Sequence, residues 1–383
     1  MVNVLQVNKL YAPWIGGIET VAQNIAEGLQ VYPGVHCDVL VCSDRNASTA
    51  SEVNGVHVNR VASWGMAMSM PFSPSFPSRL EGTAPQFDIV HVHMPFPLAF
   101  FCNWNAVKAK GTKLVVHYHS DIVRTLQRAV MSSLKAVEER FLKAADRIIV
   151  TSWELLNNSP TLASFQDKCR IIPLSIDLGA IKPLSEQEIF SARLRYGLSE
   201  SDDVVLFAGR LVYYKGVEVL IEAARSLHAQ FLIAGDGPLR PVLQKQIESL
   251  GMQSRIKLLG RISDAELNDL YSLADLFVLP STHSAEAFGV VQLEAMAHGL
   301  PVVNTNLTSG VPSVSLHGVT GLTVPPGDAV ALSDAIFTIL SHQPLRERFA
   351  ANARERVKLY SRPVVLEKIR SLYRELIPDS ALM

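Results

Sequence analysis

The feature of this sequence that most constrains its fold is a regular alternation of short apolar runs with helix-like segments. This alternation occurs in two successive series along the chain. The apolar runs of the first series are VNVLQV, HCDVLVCS, VHVNRVA, FDIVHVHM and TKLVVHYHS. The second series contains VVLFAG, FLIAG, IKLLG and LADLFVLP. Runs of this kind suit buried parallel strands, and their alternation with helices predicts doubly wound α/β sheets. The sequence therefore predicts an α/β protein in which one pattern of strands and helices occurs twice.

The length of the chain supports a division into two domains. It has 383 residues, whereas a single hydrophobic core stops growing at roughly 250 to 300 residues. The segment from Pro173 to Pro183 turns the chain outward, and the charged helical segment QEIFSARLRYGL follows it. We therefore predict a first domain over residues 1–178 and a second domain over residues 179–361.

Charge, cysteine content and hydropathy exclude several classes of protein. The chain has 35 basic and 36 acidic residues, so no global basic surface for nucleic acid is expected. Its four cysteines lack C-x-x-C spacing and suit reduced thiols rather than disulfides or a zinc site. No apolar run approaches the length of a membrane span, and the initial run VNVLQVNKLY has no charged leader. We therefore expect a cytoplasmic protein.

The stretch from Ser281 to Leu300 carries the strongest chemical signal. Its sequence, STHSAEAFGVVQLEAMAHGL, follows an apolar strand and passes through a small-residue loop into a helix. This order places Glu286 on the loop and Glu294 near the first turns of the helix. A loop before a helix N-terminus suits a phosphate, whereas carboxylates suit sugar hydroxyls because they are strong acceptors. The combination predicts a pocket for a nucleotide-linked sugar; an ordinary loop with two solvated glutamates is the alternative.

Two further loops offer groups for a phosphate. Arg210 and Lys215 stand five positions apart after the first strand of the second series, where an arginine fork and a lysine charge would neutralise a departing diphosphate. Gly16 and Gly17 precede an amphipathic helix, and the missing side chains let the backbone approach a ligand closely. Two solvated cations and a plain tight turn are the alternatives.

Four histidines stand near the ends of two predicted strands. His91 and His93 are two positions apart, as are His117 and His119, so each pair shares one face of its strand. Ligands of doubly wound sheets sit beyond the carboxyl ends of the strands, which favours the later member of each pair. No carboxylate or cysteine converges on the four in the sequence, so we predict no metal site. Hydrogen-bonded structural histidines are the alternative.

The segment EAFGVVQLE, from Glu286 to Glu294, resembles the E-x7-E signature of glycosyltransferase family 4, a large family of retaining enzymes. The spacing of Arg210 and Lys215 is similar to the R-x4-K of the same family. The resemblance covers nearly the whole chain. Its characteristic residues occur in the order expected for the family: Gly16, Gly17, His119, Arg210, Lys215, Glu286 and Glu294. It implies the GT-B fold, in which two Rossmann-like domains face each other across a cleft. A final helix, at about residues 362–383, would pack back on the first, acceptor-side domain.

The resemblance also implies roles for individual residues. His119 would contact the donor sugar, Lys215 would stabilise the leaving diphosphate, and Glu286 would hold sugar hydroxyls. The residues expected to bind the donor are Gly16, Gly17, Arg210, Lys215, Arg261, Phe288, Gly289, Val290 and Glu294. Of these, Glu294 would hold the ribose, while Arg261 and Ile262 lie in the segment that holds the base. Many relatives have a glutamate or a large residue in place of Ser313, which leaves the contacts near it open.

The function that follows from the resemblance is a retaining, metal-independent hexosyl transfer without a cofactor. The donor would be a nucleotide-diphosphate sugar, with GDP-mannose ahead of a UDP-sugar, because HYHSDIV and SGVP resemble segments of bacterial envelope and exopolysaccharide transferases. The acceptor would be a polyprenyl-diphosphate-linked or growing glycan. No side chain is an obvious nucleophile, and the leaving phosphate is thought to take the acceptor's proton in this family. The oligomeric state stays open.

Three other functions fit parts of the pattern. A sugar-nucleotide epimerase shares the two-domain architecture and some of the phosphate contacts. A nicotinamide-dependent oxidoreductase is disfavoured, because GDGPLR has Arg240 where the dinucleotide fingerprint requires a glycine. A catalytically silent membrane scaffold would keep the apolar segments without binding an activated sugar.

Two apolar segments and one basic region suggest a peripheral surface. Residues 64–77 and 94–104 are rich in methionine and aromatic residues and are broken by prolines, which argues against core strands. Residues 108–147 have an excess of basic over acidic side chains. We expect these parts to meet an acceptor lipid or the membrane surface. Packing against a neighbouring loop and a solvated helix face are the alternatives.

Overall fold

The computed structural model describes residues 1–14, 16–67, 70–121 and 125–377. The chain forms two compact units. The first unit comprises Met1–Ser175 together with Arg362–Met383, and the second comprises Ile176–Ser361. No helix in the described part of the chain has both the length and the apolar character needed to cross a membrane.

Both units contain strands and helices, which alternate along most of the chain. The strands are β1 (Val2–Val7), β2 (Val35–Cys42), β3 (Thr49–Val53), β4 (Val56–Val61), β5 (Met66–Ala67), β6 (Met70–Pro71), β7 (Ile89–Met94), β8 (Lys113–Tyr118), β9 (Arg147–Val150), β10 (Cys169–Ile171), β11 (Val204–Ala208), β12 (Gln230–Ala234), β13 (Ile256–Gly260), β14 (Leu276–Leu279), β15 (Val302–Thr305) and β16 (Gly321–Val324). The helices are α1 (Gly17–Gln30), α2 (Phe76–Thr83), α3 (Trp104–Lys108), α4 (Thr125–Ala144), α5 (Trp153–Asn158), α6 (Glu186–Arg195), α7 (Val217–Ala223), α8 (Arg240–Ser249), α9 (Asp264–Leu273), α10 (Val291–Ala297), α11 (Val311–Val314), α12 (Ala329–Ser341), α13 (Gln343–Val357) and α14 (Arg362–Leu376).

The sheet of the first unit has eight strands in the order β10-β9-β8-β7-β1-β2-β4-β3. All neighbours are parallel except β3, which pairs antiparallel with β4 at one edge. The chain runs outward from β1 through β2 and then returns to β7 on the other side of β1. The carboxyl ends of β1 and β7 therefore form the switch point where a ligand of a doubly wound sheet is expected.

The sheet of the second unit has six parallel strands in the order β13-β12-β11-β14-β15-β16. Here the chain runs outward from β11 through β12 and β13, then returns to β14 on the other side of β11. The switch point of this unit lies at the carboxyl ends of β11 and β14. These are the ends that the loops carrying Lys215 and Glu286 follow.

Helix α14 completes the first unit although it is the last helix of the chain. Its buried residues recur at helical spacing: Val365, Leu366, Ile369, Leu372 and Tyr373. The helix packs against α1 at Gly28, where a Cβ atom would overlap the side chain of Leu366. A glycine at this position therefore permits the close approach of the two helices.

The two apolar segments differ in their exposure. The expectation that residues 94–104 form a rim is wrong, because Met94, Phe96, Phe100 and Trp104 are at most 4% exposed. The segment turns after β7 and folds its rings into the core, and the Trp104 indole donates to the carbonyl of Ala99 at 2.9 Å. Within it only Phe101 is a strongly exposed apolar residue, at 50%.

Residues 64–77 retain an exposed apolar surface. Trp64, Met66 and Phe72 are 69%, 45% and 55% exposed. Trp64 and Phe72 flank the short hairpin of β5 and β6, with ring centroids 5.9 Å apart. The nearby Phe76 is fully buried. The exposed part of the segment is therefore confined to this hairpin and its flanks.

Candidate active site

The switch point of the second unit brings a lysine and a glutamate into direct contact. Lys215 ends a short 3-10 turn after β11, and Glu286 lies on the loop between β14 and α10. The Lys215 Nζ atom lies 2.5 Å from Oε2 of Glu286, and each side chain is only 10% exposed. The hydroxyl of Ser281 donates to the same carboxylate oxygen at 3.2 Å. The residues at the centre of this site are therefore a largely buried ion pair.

Close backbone packing fixes the loops that carry the pair. Gly216 has φ of 65°, and a Cβ atom at this position would overlap the carbonyl oxygen of Pro280. The Thr282 amide donates to the carbonyl of Tyr214 at 2.8 Å. On the Glu286 side, the hydroxyl of Ser309 donates to the Glu286 carbonyl at 2.6 Å. The two loops are thus joined through main-chain contacts as well as through the ion pair.

Arg210 lies on the same loop as Lys215, but its side chain is exposed. Burial raises the pKa of Tyr214, and the charges of Lys215, Glu286 and Arg210 also act on this phenol. All three charges are therefore within electrostatic range of one ring. The structure does not join Arg210 to the ion pair by any hydrogen bond among the described residues.

The loop from Phe288 to Val290 leads into α10. Phe288 is 3% exposed and makes an edge contact with Tyr360, with ring centroids 6.2 Å apart. Gly289 has φ of 73°, a conformation that favours glycine. Within the described residues, the backbone N–H groups of Gly289 and Val290 have no protein acceptor. Two amide donors thus remain for a ligand at the start of the helix.

Glu294 lies in the first turn of α10, as its sequence context predicts. The hydroxyl of Tyr271, on α9, donates to Glu294 Oε2 at 2.8 Å. Burial raises the pKa of Glu294, while the Tyr271 hydrogen bond acts in the opposite direction. The Tyr271 ring stacks on His298 with centroids 5.2 Å apart. Tyr271 therefore holds one carboxylate oxygen and leaves the other as an acceptor.

Within the described residues, neither Arg261 nor Ser313 is hydrogen-bonded to the ion pair. Arg261 is exposed and directly follows β13, so it lies at the same edge of the sheet but two strands away from β11. Among the described residues it forms no hydrogen bond with Lys215 or Glu286. The Ser313 hydroxyl donates to Gly310 at 2.8 Å, and its carbonyl accepts from Arg356 at 2.6 Å.

In the first unit, Gly16 is the N-cap of α1 and Gly17 is its first residue. A Cβ atom at Gly16 would overlap the carboxylate of Glu19, whereas one at Gly17 would meet nothing within 4 Å. Glu19 is 6% exposed and pairs with Lys9 at 3.4 Å. A carboxylate is therefore already present at the helix N-terminus, where the sequence suggested room for a phosphate.

The four histidines lie on one face of the first sheet. His93 and His117 are direct neighbours on β7 and β8, and His91 lies beside Gln6 of β1. Their rings stack almost in parallel: the centroids of His117 and His119 are 4.1 Å apart with an interplanar angle of 17°. His119 is 5% exposed and the other three are at most 1% exposed.

Burial keeps these four rings neutral. It lowers the pKa of His91 and of His119 to about 3, and the charge of Lys9 adds to the shift of His119. Burial also lowers the pKa values of His93 and His117 well below the ordinary value. Neutral imidazoles are both hydrogen-bonding groups and potential metal ligands.

One ring nitrogen of each of His91, His93 and His117 lies within 4.8 Å of the others, so a metal site needs consideration. The lone pairs of stacked rings point in parallel directions, whereas a metal requires them to converge. His93 also uses both ring nitrogens, towards His119 at 3.0 Å and Gln6 at 2.9 Å. A metal would require the rings to turn and His93 to lose a hydrogen bond, so the row does not form a ready-made metal centre.

Several residues around these groups were not singled out from the sequence. They are Gln6, Glu19, Tyr271, Ser281 and Tyr373. Gln6 is a polar residue in the apolar run VNVLQV, which could have marked it. Tyr373 lies 282 positions from His91, with which it forms a hydrogen bond of 2.7 Å, and no local pattern connects the two.

The fold and the two switch points define a GT-B protein. Sucrose-phosphate synthase from Thermosynechococcus elongatus superimposes with a TM-score of 0.78 at 24% identity, over 99% of this chain and 100% of that chain. Anabaena Alr3699/HepE, solved in complex with UDP-glucose, superimposes with a TM-score of 0.78 at 20% identity, over 98% and 100% of the two chains. Two Rossmann-like units with this architecture confirm the predicted fold class.

Sequence comparison identifies the family. The model described as Glycosyltransferase Family 4 matches residues 15–180, and the model described as Glycosyl transferases group 1 matches residues 190–356. The chain belongs to glycosyltransferase family 4 and is a glycosyltransferase. It is 29% identical to O-antigen chain mannosyltransferase C of Escherichia coli, over 99% of this chain and 100% of that protein. It is also 29% identical to D-rhamnosyltransferase WbpZ of Pseudomonas aeruginosa, over 93% and 91%.

Proposed function

We propose that the protein transfers a mannosyl or closely related hexosyl residue from a nucleotide-diphosphate sugar to a glycan of a bacterial surface polysaccharide. Two relatives that align over more than nine-tenths of this chain are named as a mannosyltransferase and a rhamnosyltransferase, which supports this donor class. GDP-mannose is the first candidate donor and a UDP-sugar the second. The named relatives are transferases, which favours transfer over epimerisation.

The observation that carries the proposal is the buried contact between Lys215 and Glu286 at the switch point. An incoming diphosphate competes for the Lys215 charge, because phosphate oxygens are strong acceptors of lysine N–H groups. The released Glu286 carboxylate then accepts hydrogen bonds from sugar hydroxyls. Arg210 and the amides of Gly289 and Val290, which have no acceptor among the described residues, add positive potential where the leaving group gains charge.

Other groups meet the remaining parts of the donor. Glu294, with one oxygen held by Tyr271, accepts hydrogen bonds from the ribose through its other oxygen. Arg261 lies near the base at the outer part of the same sheet edge, and His119 of the first unit contacts the sugar. The role of Gly16 and Gly17 is to let the backbone approach the diphosphate, although Glu19 limits the space beside Gly16.

The transfer retains the configuration of the sugar and needs no metal. Lys215 and Arg210 supply the positive charge that a divalent cation provides in other phosphate chemistry. No side chain serves as the nucleophile, and the leaving phosphate takes the proton of the acceptor. Chelation with EDTA should leave the rate unchanged, and the anomeric configuration of the product should match that of the donor.

The acceptor binds to the first unit. A cavity of about 520 Å³ opens beside the loop that follows β1, and its walls include Tyr11, Trp14, Arg45 and Arg60. The hydroxyl of Tyr11 is buried there without a hydrogen-bond partner among the described residues. Aromatic and cationic groups of this kind suit a glycan that carries a phosphate. Trp14→Ala should raise the acceptor KM and leave the donor KM unchanged.

The protein acts at the inner face of the cell membrane through peripheral contact. The exposed apolar side chains of Trp64, Met66 and Phe72 support this location, because aromatic residues favour the bilayer interface. The basic region over residues 108–147 falls partly outside the described residues, so the proposal rests on the hairpin.

The experiment that tests the function is a donor screen. The full chain is incubated with a panel of GDP- and UDP-sugars and a lipid-linked glycan, while released nucleotide and product mass are measured. The expected result is nucleotide release together with a product heavier by one hexosyl residue, with GDP-mannose as the best donor. Failure to bind every activated sugar, or a product of unchanged mass, would overturn the proposal.

A further inference from the structure

A row of hydrogen-bonded polar side chains crosses one face of the first sheet and ends at His119. His119 Nε2 lies 3.0 Å from His93 Nδ1, and His93 Nε2 lies 2.9 Å from Gln6 Oε1. On its other side, Gln6 Nε2 lies 3.4 Å from the Tyr373 hydroxyl, which lies 2.7 Å from His91 Nδ1. These five side chains are at most 5% exposed, so bulk water does not replace their partners.

The orientation of Gln6 decides the direction of each hydrogen bond towards His119. In the structure the Gln6 amide oxygen faces His93 Nε2, and because an amide oxygen can only accept, this placement puts the His93 proton on Nε2. Burial lowers the pKa of His93 well below its ordinary value, so the ring is neutral and its Nδ1 can only accept. His119 must therefore donate through its own Nε2.

The same Gln6 amide sets the direction of the hydrogen bonds at the other end of the row. The Gln6 amide nitrogen donates to the Tyr373 oxygen, so the Tyr373 hydroxyl proton is directed to His91 Nδ1. Every bond in the row then has one donor and one acceptor, and the His91 proton lies on Nε2, which has no partner among the described residues. Tyr373, on the final helix, thereby holds the nitrogen end of the Gln6 amide through a hydrogen bond.

We infer that Tyr373, Gln6 and His93 are positioning residues that hold His119 as the Nε2–H tautomer, so that His119 offers a ligand only the Nδ1 lone pair. A lone pair accepts a hydrogen bond from a hydroxyl and repels an oxyanion. The ligand group selected at this position is therefore a hydroxyl and not a phosphate oxygen. Its identification as a hydroxyl of the donor sugar rests on the proposed function, whereas the tautomer does not.

Nuclear magnetic resonance reads the tautomer directly. Two-bond ¹H–¹⁵N correlations are recorded on the full chain labelled with ¹⁵N-histidine, without ligand, at about pH 7.5, where buried neutral histidines carry one ring proton. The signals are assigned by their loss in His119→Gln and in His93→Gln. The expected result is a protonated Nε2 and a bare Nδ1 on both rings. A protonated Nδ1 on His119, or an average of the two tautomers, would overturn the inference.

Matched variants of Gln6 separate positioning from general packing. Gln6→Glu keeps an acceptor opposite His93 and should preserve the tautomer, whereas Gln6→Met removes the acceptor and should give a mixture. The shape-preserving Tyr373→Phe releases the Gln6 amide and serves where Gln6→Met fails to fold. Signals of the exposed His57 should not change in any variant. An unaltered His119 spectrum in both Gln6→Met and Tyr373→Phe would refute the positioning role.

Ligand titration tests the hydroxyl preference. GDP-mannose should shift the His119 Nδ1 resonance, whereas GDP and inorganic phosphate should not. In Gln6→Met the donor KM should rise about twofold, because only part of the molecules present the acceptor. An equal shift with inorganic phosphate would overturn the hydroxyl assignment. If none of these compounds binds, the proposed function fails, while the tautomer measured without ligand still decides the positioning role.

Discussion

Lys215 Nζ and Glu286 Oε2 lie 2.5 Å apart although 71 positions separate the two residues in the chain. The pair forms because β11 and β14 are adjacent parallel strands whose following loops meet at one edge. Removing one partner of a buried pair leaves the other charge uncompensated, which typically costs about 3 to 5 kcal/mol. Stability and catalysis are therefore linked at this position.

We predict that Lys215→Met lowers both turnover and stability. Loss of one electrostatic donor to the leaving group should reduce kcat about 100-fold to 1000-fold, measured by nucleotide release. The exposed Lys245 on α8 provides the control, because Lys245→Met should change neither quantity.

The double variant Lys215→Met with Glu286→Leu should separate the two effects. Replacing both charges by apolar groups removes the uncompensated carboxylate, so the melting temperature should recover towards that of the parent protein. Turnover should remain as low as in the single variant. Recovery of activity together with stability would exclude a catalytic role for the pair.

Tyr271→Phe should weaken donor binding more than it slows the reaction. The substitution removes the 2.8 Å hydrogen bond that holds Glu294, worth about 1.5 kcal/mol, so the donor KM should rise about tenfold. The change in kcat should stay within a factor of two or so because Glu294 lies outside the reacting centre in the proposed arrangement. Tyr196→Phe, at a half-buried ring of the same unit, should leave both constants unchanged. A fall in kcat at constant KM would contradict the ribose role.

Gly216→Ala should lower stability and activity by more than its backbone strain alone explains. Gly216 and Gly251 have nearly equal φ values, 65° and 66°, so alanine should cost about 1 to 2 kcal/mol at either position through the left-handed conformation. Only at Gly216 does the added Cβ overlap the carbonyl of Pro280; at Gly251 nothing lies within 4 Å. Thermal melts and nucleotide release should therefore show an additional loss of stability and activity in Gly216→Ala alone. Equal losses of stability and activity in Gly216→Ala and Gly251→Ala would mean that the loops carrying Lys215 and Glu286 can move apart without harm.

Acid should destabilise the first unit through its four buried histidines. Their folded pKa values are lowered, to about 3 for His91 and His119, so the unfolded state binds more protons below about pH 6.5. Stability is present above that pH and is lost as the pH falls towards the folded pKa. The loss approaches about 2 kcal/mol for each histidine at pH 5. Hydrogen exchange of β7 and β8 at several pH values would measure it.

A single substitution should reduce this pH dependence. Neither ring nitrogen of His117 has a partner within the described residues, so His117→Leu removes a proton-binding site without breaking a described hydrogen bond. Its stability relative to the parent should improve as the pH falls. The exposed His57 supplies the control through His57→Gln. An unchanged slope in His117→Leu would show that this histidine does not contribute to acid sensitivity.

Membrane contact can be tested at the hairpin of β5 and β6. Trp64→Ser combined with Phe72→Ser should abolish cosedimentation with vesicles that contain anionic lipid, because the apolar anchors are lost. Trp153→Ser removes a comparably exposed tryptophan, 64% against 69%, from a different part of the first unit and should bind vesicles normally. Equal losses in both proteins would indicate nonspecific association.

Much of the fold follows from local patterns, because short apolar strands and amphipathic helices must bury their apolar faces in layers. The pattern misses β3, whose sequence TASEV is mostly exposed and pairs only at the sheet edge. The local pattern also wrongly predicts that residues 94–104 are exposed. Prolines argue against a strand, but they do not argue against burial in a turn. Local composition cannot tell whether such a turn faces the core.

Some residues of the candidate site could likewise be predicted from the sequence, whereas others depend on tertiary packing. Glu286, Glu294 and Lys215 follow strands in the sequence, so the topology of a doubly wound sheet is enough to bring their loops to one edge. Tyr271 and Ser281, by contrast, become relevant only through the packing of α9 and the loop against the two carboxylates. The carboxylate of Glu19 beside Gly16 likewise depends on a rotamer that spacing does not reveal.

The first unit is assembled from two pieces of chain, and α14 is the second piece. A ribosome releases the uninterrupted stretch Ile176–Ser361 before it delivers Leu366 and Tyr373. During synthesis, Gln6 and His91 therefore lack the Tyr373 hydroxyl until the whole second unit has emerged. Until α14 is synthesised, the face of the first sheet that it covers stays exposed. A chaperone would bind this face most readily during that interval.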